Sequence, residues 1–164
     1  MYIIPGLDLI DIKILMLLQE NADMPVKQIA IKINRSVSAT HQRIMALKSS
    51  GIIKSFNALL DLTKFEQILI TYTFVKLNDH SATALNNFRE AICNFDEVME
   101  CCHTTGDFDF LLKVVMTGTA AYNDFVNTKL GHIPHLGTVW SSMVLAELKH
   151  VTAYNLSQGD AHKK

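Results

Sequence analysis

Residues 25–54 read PVKQIAIKINRSVSATHQRIMALKSSGIIK, and this stretch decides the architecture of the N-terminal third. Pro25 suits the first position of a helix because its φ is already fixed near the helical value. Apolar residues recur at helical spacing from there until Asn34, which predicts a short helix. Ser36 can cap a further helix, and Gly51 can end it because glycine tolerates a positive φ. Two helices joined by so short a turn are the outline of a helix-turn-helix.

The later of these two helices has an inner and an outer face. Four residues at spacings of three, four and three are expected to point inward: Val37, Thr40, Ile44 and Leu47. The outer face is expected to hold small and polar side chains: Ser38, Ala39, Gln42 and Met45, flanked by His41 and Arg43. A glutamine can read adenine through two hydrogen bonds and an alanine methyl can meet a thymine methyl, so this face predicts base recognition. A plain three-helix bundle is the alternative interpretation.

The charge of the same segment is strongly asymmetric. Residues 25–54 carry six basic and no acidic side chains, whereas the whole chain has a formal net charge of −1. The net charge is +3 over residues 1–57 and −4 over residues 58–164. A basic third on an acidic body is typical of a nucleic-acid-binding module, with an ordinary solvated face as the alternative. Nine residues are therefore predicted to contact double-stranded DNA, the first two and the last at phosphates: Lys27, Arg35, Ser36, Ser38, Ala39, His41, Gln42, Arg43 and Lys48.

The sequence on the N-terminal side predicts one more helix. Its apolar residues recur at three- and four-residue spacing: Leu7, Ile10, Ile14, Leu17 and Leu18. Asp8 and Asp11 are placed to cap its start and to complement its dipole. Residues 1–51 are thus predicted to form a DNA-binding domain of three helices. Residues 52–65 follow with strand character and are predicted to be a linker strand.

On the C-terminal side, residues 66–150 show one pattern twice. Strands and helices alternate in this order: a strand at Ile70–Leu77, a helix marked by Leu85, Phe88, Ile92 and Phe95, a strand at Val98–Thr104, a strand at Phe108–Thr117, a helix marked by Tyr122, Phe125, Val126 and Leu130, and a strand at Leu136–Leu148. This order predicts an α+β protein with a ferredoxin-like βαββαβ domain, whose two helices cover one face of a four-stranded antiparallel sheet. The other face lacks cover, which predicts a homo-oligomer. Residues 151–164 are predicted to be a polar C-terminal tail.

Composition and motifs exclude several other classes of protein. The chain of 164 residues is 49% hydrophobic and is therefore globular, while its longest apolar run near the start, Ile14–Leu18, is far too short to span a bilayer. We expect a cytoplasmic protein with no membrane partner and with its three cysteines as reduced thiols. The pair His132-x-x-His135 has no acidic or cysteine partner at ligand spacing, and nucleotide-binding and nucleophile motifs are absent from the sequence. No metal, cofactor or catalytic residue is predicted.

The two halves together resemble the Lrp/AsnC family of bacterial and archaeal transcription regulators, over about residues 6–150. In the N-terminal half the resemblance rests on these motifs: Leu7-Asp8-x-x-Asp11-x-x-Ile14-Leu15, Ile29-Ala30, Ser36, and Arg43-Ile44-x-x-Leu47-x-x-x-Gly51-Ile52-Ile53. In the C-terminal half it rests on Thr105-Gly106-Asp107-Phe108-Asp109 and Val144-Leu145-x-Glu147-x-Lys149. The resemblance implies a winged-helix-like DNA-binding domain and a regulatory domain that dimerises through its sheet and often assembles into an octamer.

The resemblance also implies an effector site. Family members bind amino acids where the regulatory domains of adjacent dimers meet, which implies these effector-binding residues: Gly106, Asp107, Phe108, Asp109 and Ser141. In physical terms the glycine lets a backbone approach closely and the carboxylates can receive an ammonium group. A tight hairpin turn is the alternative interpretation of the loop. Val139 stands where the family often has a hydroxyl, and Ser141 retains one on the same strand face.

The sequence therefore predicts a sequence-specific DNA-binding transcriptional regulator that responds to an amino acid or a related small metabolite. Two alternatives remain on the same layout. One is an enzyme similar to the sirohaem decarboxylases, which copurifying tetrapyrrole colour would favour. The other is an architectural DNA-binding protein without an effector, which weak sequence preference and no response to amino acids would favour.

Overall fold

The computed structural model describes residues 2–3 and 6–157 of the chain. The chain folds as two units, each with its own core. One unit takes the described chain up to Leu59 and again from Lys149, and the other spans Leu60–Leu148. The chain thus returns to its N-terminal unit after the second unit is complete. The part of the predicted tail at residues 158–164 lies outside the described residues.

Three helices form the N-terminal unit, as the sequence predicts. They are α1 (Leu9–Glu20), α2 (Val26–Ile33) and α3 (Val37–Ser49). The Asp8 carboxylate accepts hydrogen bonds from the backbone N–H groups of Ile10 and Asp11, at 2.9 and 2.8 Å. The Asp11 carboxylate accepts one from the Asp8 N–H in return, at 3.3 Å. This reciprocal capping box confirms the predicted start of the first helix.

The turn between α2 and α3 depends on a left-handed backbone at one residue. Asn34 supplies it with a φ of 55°, and asparagine adopts this conformation more readily than most side chains. Ser36 then caps α3, because its Oγ accepts a hydrogen bond from the Ala39 N–H at 3.2 Å. Gly51 follows the end of α3 with a φ of 76°, which confirms its predicted role.

The N-terminal core takes one face of each helix. Its buried apolar side chains are Ile12, Ile14, Leu15, Leu18, Ile29, Ile33, Ile44, Leu47 and Leu156. Thr40 is fully buried as predicted, and its Oγ1 donates to the carbonyl of Ser36 at 2.8 Å. The inward prediction for Val37 is wrong, since this side chain is 49% exposed. Val37 is the first residue of α3, beside the cap, and the core begins one turn later at Thr40.

The predicted linker strand at residues 52–65 is also wrong. All of these residues are described, and their regular structure is a 3-10 turn at Leu62–Lys64. Ile52 and Ile53 pack against the N-terminal core instead. A β-rich sequence forms a strand only where a neighbour accepts its backbone hydrogen bonds, and a pattern of side chains does not reveal that neighbour.

A short parallel pair closes the N-terminal unit. It joins β1 (Tyr2–Ile3) to β6 (Leu156–Ser157), with Tyr2 opposite Leu156 and Ile3 opposite Ser157. The segment predicted to be a polar tail therefore takes part in the N-terminal core, because Leu156 is buried there.

The second unit has the predicted ferredoxin-like arrangement. Its elements are β2 (Ile68–Leu77), α4 (Ala82–Cys93), β3 (Val98–His103), β4 (Phe110–Thr117), α5 (Gly118–Asp124, continued by a π turn at Phe125–Lys129 and a 3-10 turn at Leu130–His132) and β5 (Leu136–Met143). The sheet order is β3-β4-β2-β5, and all neighbours are antiparallel. The last strand ends at Met143 rather than at Leu148 as predicted, because its partner β2 begins at Ile68 and soon offers no further backbone.

The two faces of this sheet differ in burial. Both helices cover one face and bury this core: Val75, Leu77, Phe88, Ile92, Phe110, Leu112, Val114, Tyr122, Phe125, Leu130 and Ile133. Strand alternation turns the intervening side chains to the other side, which we call the open face. Its large apolar side chains are half-buried or exposed: Ile70, Tyr72, Phe74, Leu111, Val115 and Trp140. Lys76 is on the same face, and so is Lys113, whose Nζ lies 3.5 Å from Glu100 Oε1. The side away from the helices is thus largely apolar but also carries charge.

Candidate DNA-binding and effector sites

The outer face of α3 is open to solvent. Ser38, His41, Gln42 and Met45 are exposed at spacings that place them on one side of the helix, and Ala39 is half-buried at its edge. The Ser36 hydroxyl is used as the cap of this helix, which fixes its first turn. Such a helix can enter the major groove and place its outer side chains against base edges.

The basic side chains predicted to contact phosphates are exposed. Lys27 is exposed on α2, and Arg35 is exposed in the turn before α3, where its Nη1 donates to the Asn34 carbonyl at 3.0 Å. The Lys48 ammonium lies 4.7 Å from the centre of the Phe56 ring, a cation–π contact that orients it. These cations remain predicted phosphate contacts.

Arg43 is held within the unit. Its Nη1 donates to Asp8 Oδ2 at 2.7 Å and to Asp11 Oδ1 at 2.8 Å, which ties α3 to the start of α1. Burial acts to raise the pKa of Asp8, but hydrogen bonds from the Asp11 N–H and from Arg43 outweigh it, and the pKa falls below its ordinary 3.8. Hydrogen bonds to Asp11 and Asp8 raise the pKa of Arg43. The sequence predicts that Arg43 contacts DNA, whereas these bonds favour a role in positioning α3.

The loop between β3 and β4 is a closed hairpin turn. The Thr104 N–H donates to the Asp109 carbonyl at 2.9 Å, and the Thr104 Oγ1 donates to the Phe108 carbonyl at 2.9 Å. Gly106 has a φ of 112°, which side chains other than hydrogen rarely allow. The turn leaves Asp107 exposed at its tip.

The two carboxylates of this loop have different surroundings. The Asp109 side chain is 16% exposed and accepts the Leu77 N–H at 2.7 Å. Its two oxygens also lie 3.0 and 3.1 Å from His80 Nε2. Asp109 therefore fixes the end of β2 against the loop. Of the two carboxylates, Asp107 is the one that an ammonium group can reach without displacing these contacts.

Phe108 belongs to an aromatic cluster on the open face. Its ring centre lies 5.6 Å from that of Phe74 and 6.0 Å from that of Trp140, and the latter two are 6.2 Å apart. Tilted rings at these separations attract one another. The cluster joins the loop between β3 and β4 to the surface that the helices leave uncovered.

Ser141 faces the opposite way. Its Oγ is hydrogen-bonded to the Tyr122 hydroxyl, which also pairs with Thr73 Oγ1 at 2.8 Å. Consecutive strand residues point to opposite faces, so Ser141 lies on the helix-covered side while Trp140 lies on the open face. The structure therefore divides the predicted effector residues between the loop, the open face and the helix-covered face.

The sequence did not point to three residues that contribute to these surroundings. His80 meets Asp109 across 29 positions of the chain, and no local pattern signals that pair. Tyr122 is expected only as a core side chain, yet its hydroxyl joins two strands. Trp140 is the single tryptophan of the chain. It precedes Ser141 in a predicted strand, so the alternation of side chains between the two sheet faces is the signal that could have placed it on the open face.

The three cysteine side chains are not joined by disulfides. Cys93, Cys101 and Cys102 are free thiols, and burial raises the pKa of Cys101 to about 11, which keeps this thiol protonated at neutral pH. Within residues 2–3 and 6–157, no group of three or more histidine, cysteine, aspartate or glutamate side chains is arranged to hold a metal ion. Over the same residues, no helix has the length and apolar character needed to cross a membrane.

Known proteins share both units of this chain. Residues 7–54 match the winged helix-turn-helix DNA-binding family, and residues 70–154 match the Lrp/AsnC ligand binding domain. The proline dehydrogenase transcriptional activator of Rhodobacter capsulatus is 34% identical over 85% of this chain and 90% of its own. A transcriptional regulator of Neisseria meningitidis, solved in complex with L-Met, has a TM-score of 0.85 at 30% identity and covers 91% of this chain and 96% of its own. An AsnC family regulator from Agrobacterium tumefaciens has a TM-score of 0.84 at 31% identity, with coverage of 91% and 97%. The chain therefore belongs to the Lrp/AsnC family of transcriptional regulators, with a DNA-binding helix-turn-helix followed by a ligand-binding domain.

Proposed function

We propose that this regulator reads a specific DNA sequence through the outer face of α3, as a non-catalytic protein of the cytoplasm. The observation that carries the proposal is the exposed row of Ser38, Gln42 and Met45 on a helix that is capped at its start and tied to the start of α1. A helix whose start is capped by Ser36 and whose middle is held by Arg43 presents these side chains in one orientation. Fixed orientation favours recognition of particular bases over architectural binding.

Selection from a pool of random duplexes tests this proposal. We expect enrichment of a pseudo-palindromic sequence with half-sites about one helical turn, or a multiple of it, apart, because a two-fold protein assembly reads both halves alike. A pool that stays unenriched, although every duplex is bound, would support the architectural alternative. A coloured protein with bound tetrapyrrole and no DNA affinity would support the enzyme.

Gln42→Ala is expected to change sequence preference. The free-energy difference between right and wrong base at one position should shrink by about 1–3 kcal/mol, because the amide no longer bonds the base edge. Lys48→Ala is the control, since the loss of a phosphate contact should weaken binding to all sequences alike and reduce the salt slope by about 1. Competition binding with the selected duplex and its single-base variants measures both effects. An equal loss on all duplexes for Gln42→Ala would remove this residue as a base reader.

We further propose that an amino acid or a closely related metabolite binds beside the hairpin of residues 104–109. Support comes from the backbone conformation of Gly106 and from the exposed carboxylate of Asp107. A carboxylate and an ammonium group form a charge-assisted hydrogen bond, and the adjacent Phe108 ring offers an apolar surface for a side chain. The Neisseria meningitidis relative was solved with L-Met, so L-methionine is the first probe to use.

Asp107→Ala is expected to weaken amino-acid binding by at least about tenfold, since hydrogen bonds to charged groups contribute roughly 1.5–3 kcal/mol. Titration calorimetry of the intact chain with L-methionine and then the other standard amino acids measures the affinity. Asp109→Ala is the matched comparison, and it should lower the unfolding temperature because the Leu77 N–H and His80 lose their acceptor. Identical affinities for wild type and Asp107→Ala would show that the ammonium group is received elsewhere.

The open face of the sheet supports a homo-oligomer. We propose that two copies meet there, because Tyr72, Phe74 and Trp140 expose apolar surface on this face, beside the ion pair of Lys113 and Glu100. Monomeric proteins rarely leave such a surface in water. Closed two-fold symmetry places the same patch on both copies, which is what a flat sheet face offers.

A further inference from the structure

The C-terminal segment of the chain is built into the DNA-binding unit. Leu156 is 9% exposed and packs in the core of α1, α2 and α3. The backbone of β6 pairs with that of β1 at the other end of the chain. A residue with this burial contributes to the unit as a helix residue does, although it follows the whole regulatory unit in sequence.

The segment is also clamped to α1 by a reciprocal pair of hydrogen bonds. The Gln19 amide nitrogen donates to the Tyr154 carbonyl at 3.2 Å, and the Tyr154 N–H donates to Gln19 Oε1 at 2.7 Å. The Gln19 side chain thus makes the two hydrogen bonds that a neighbouring strand would make, and both the N–H and the carbonyl of Tyr154 have a partner. It fixes the register of the segment on the helix.

Two grooves, each lined by the C-terminal segment and by α1, show that the segment runs along this helix. On one side Ala153 and Tyr154 line a groove of about 530 Å³ with Lys13 and Met16 of the helix. On the other side, Leu156 lines a groove of about 700 Å³ with the helix. The segment therefore covers the second half of α1, while the first residues of the same helix hold Arg43 of α3.

We propose that residues 152–157 brace α1 and thereby hold the recognition helix α3 in the orientation that binds DNA. The brace acts through the contacts of Leu156 and Tyr154 with α1, and through the contacts of Asp8 and Asp11 with Arg43. The inference rests on the proposed DNA recognition, and it adds that a segment following the unit Leu60–Leu148 in sequence is a positioning part of the DNA-binding unit.

Two truncations of the full chain test the brace without DNA. Ending the chain after Lys149 removes the segment, whereas ending it after Ser157 leaves the segment in place. We expect the first truncation to accelerate hydrogen exchange of the amides in the second half of α1 by about tenfold or more, while the sheet amides keep their rates as an internal reference. The second truncation should exchange like the full chain.

A pair of leucine substitutions provides the matched point variants. Leu156→Ala removes a buried side chain from the core, whereas Leu148→Ala makes the same chemical change at a residue that is 95% exposed. Only Leu156→Ala should accelerate exchange in α1, and it should weaken binding to the selected duplex by about tenfold, which is roughly 1.4 kcal/mol. Leu148→Ala should match wild type in both measurements.

The outcomes separate this inference from the proposed function. Unchanged exchange in α1 for both the Lys149 truncation and Leu156→Ala would overturn the brace, whatever the DNA affinity. Faster exchange with unchanged affinity for the selected duplex would overturn the positioning of α3. A full chain that binds no DNA would overturn the proposed recognition, and the exchange rates would still decide whether the segment braces α1.

Discussion

Replacing Trp140 with aspartate is expected to convert the protein from a dimer or larger assembly into monomers at micromolar concentration. Trp140 is 62% exposed on the open face, and its ring contacts Phe74 and Phe108. A carboxylate buried in the proposed two-copy interface would lose its water without gaining a partner, which is costly. We expect the dissociation constant of the assembly to rise at least about 100-fold, or about 2.8 kcal/mol.

Sedimentation velocity of the variant and wild type measures this effect. Leu145→Asp is the control, because Leu145 is 99% exposed beyond the end of β5, and the same charge there should leave the mass unchanged. Affinity for the selected duplex should fall together with the assembly, since a monomer reaches one half-site only. A Trp140→Asp variant with the mass of wild type would exclude the open face as the interface.

Removing the guanidinium of Arg43 is expected to destabilise the N-terminal unit even without DNA. Arg43→Ala leaves the carboxylates of Asp8 and Asp11 close together without a cation, and it releases α3 from the start of α1. The contacts are partly exposed, so we expect a loss of about 1–2 kcal/mol. The unfolding temperature of this unit should fall by at least about 5 °C, and all duplexes should bind more weakly.

Arg35→Ala is the control for this prediction. Arg35 is exposed, and its guanidinium contacts the carbonyl of the neighbouring Asn34 rather than another helix. Its removal should leave the unfolding temperature unchanged and reduce the salt slope of DNA binding by about 1. Calorimetric unfolding with parallel binding titrations distinguishes the two arginines. If Arg43→Ala lost DNA affinity at an unchanged unfolding temperature, Arg43 would be a DNA contact, as the sequence predicts.

Local signals were sufficient to predict the helix-turn-helix. Asp8, Ser36 and Gly51 act on backbone groups within a few residues of themselves, so the start of α1 and both ends of α3 follow from the sequence. The strand-helix order of the second unit was also readable, because each element buries one face in a regular period. The end of β5 and the absence of a strand at residues 52–65 depend on which backbone lies alongside, and no local pattern carries that information.

The candidate effector site was predicted less completely for the same reason. From the sequence alone, Asp107 and Asp109 are equally good candidates to receive an ammonium group. Their difference arises from Leu77 and His80, which reach Asp109 from distant positions in the chain. Ser141 is a related case, because the resemblance places it near the ligand while its hydroxyl is bonded to Tyr122 on the helix-covered face. Partners of polar side chains are set by the tertiary fold.

Because the chain returns to its first unit, the order in which the two units complete their folding differs from the order in which they are synthesised. Leu156 joins the N-terminal core only after residues 60–148 have been synthesised, so α1, α2 and α3 leave the ribosome before their core is complete. Domains of a nascent chain generally fold in the order of their synthesis. Here the first unit to emerge is the last to be finished, and its final contacts are those of highest sequence separation. A chain released early, after β5, would have a folded sheet and a DNA-binding unit that lacks its last core residue.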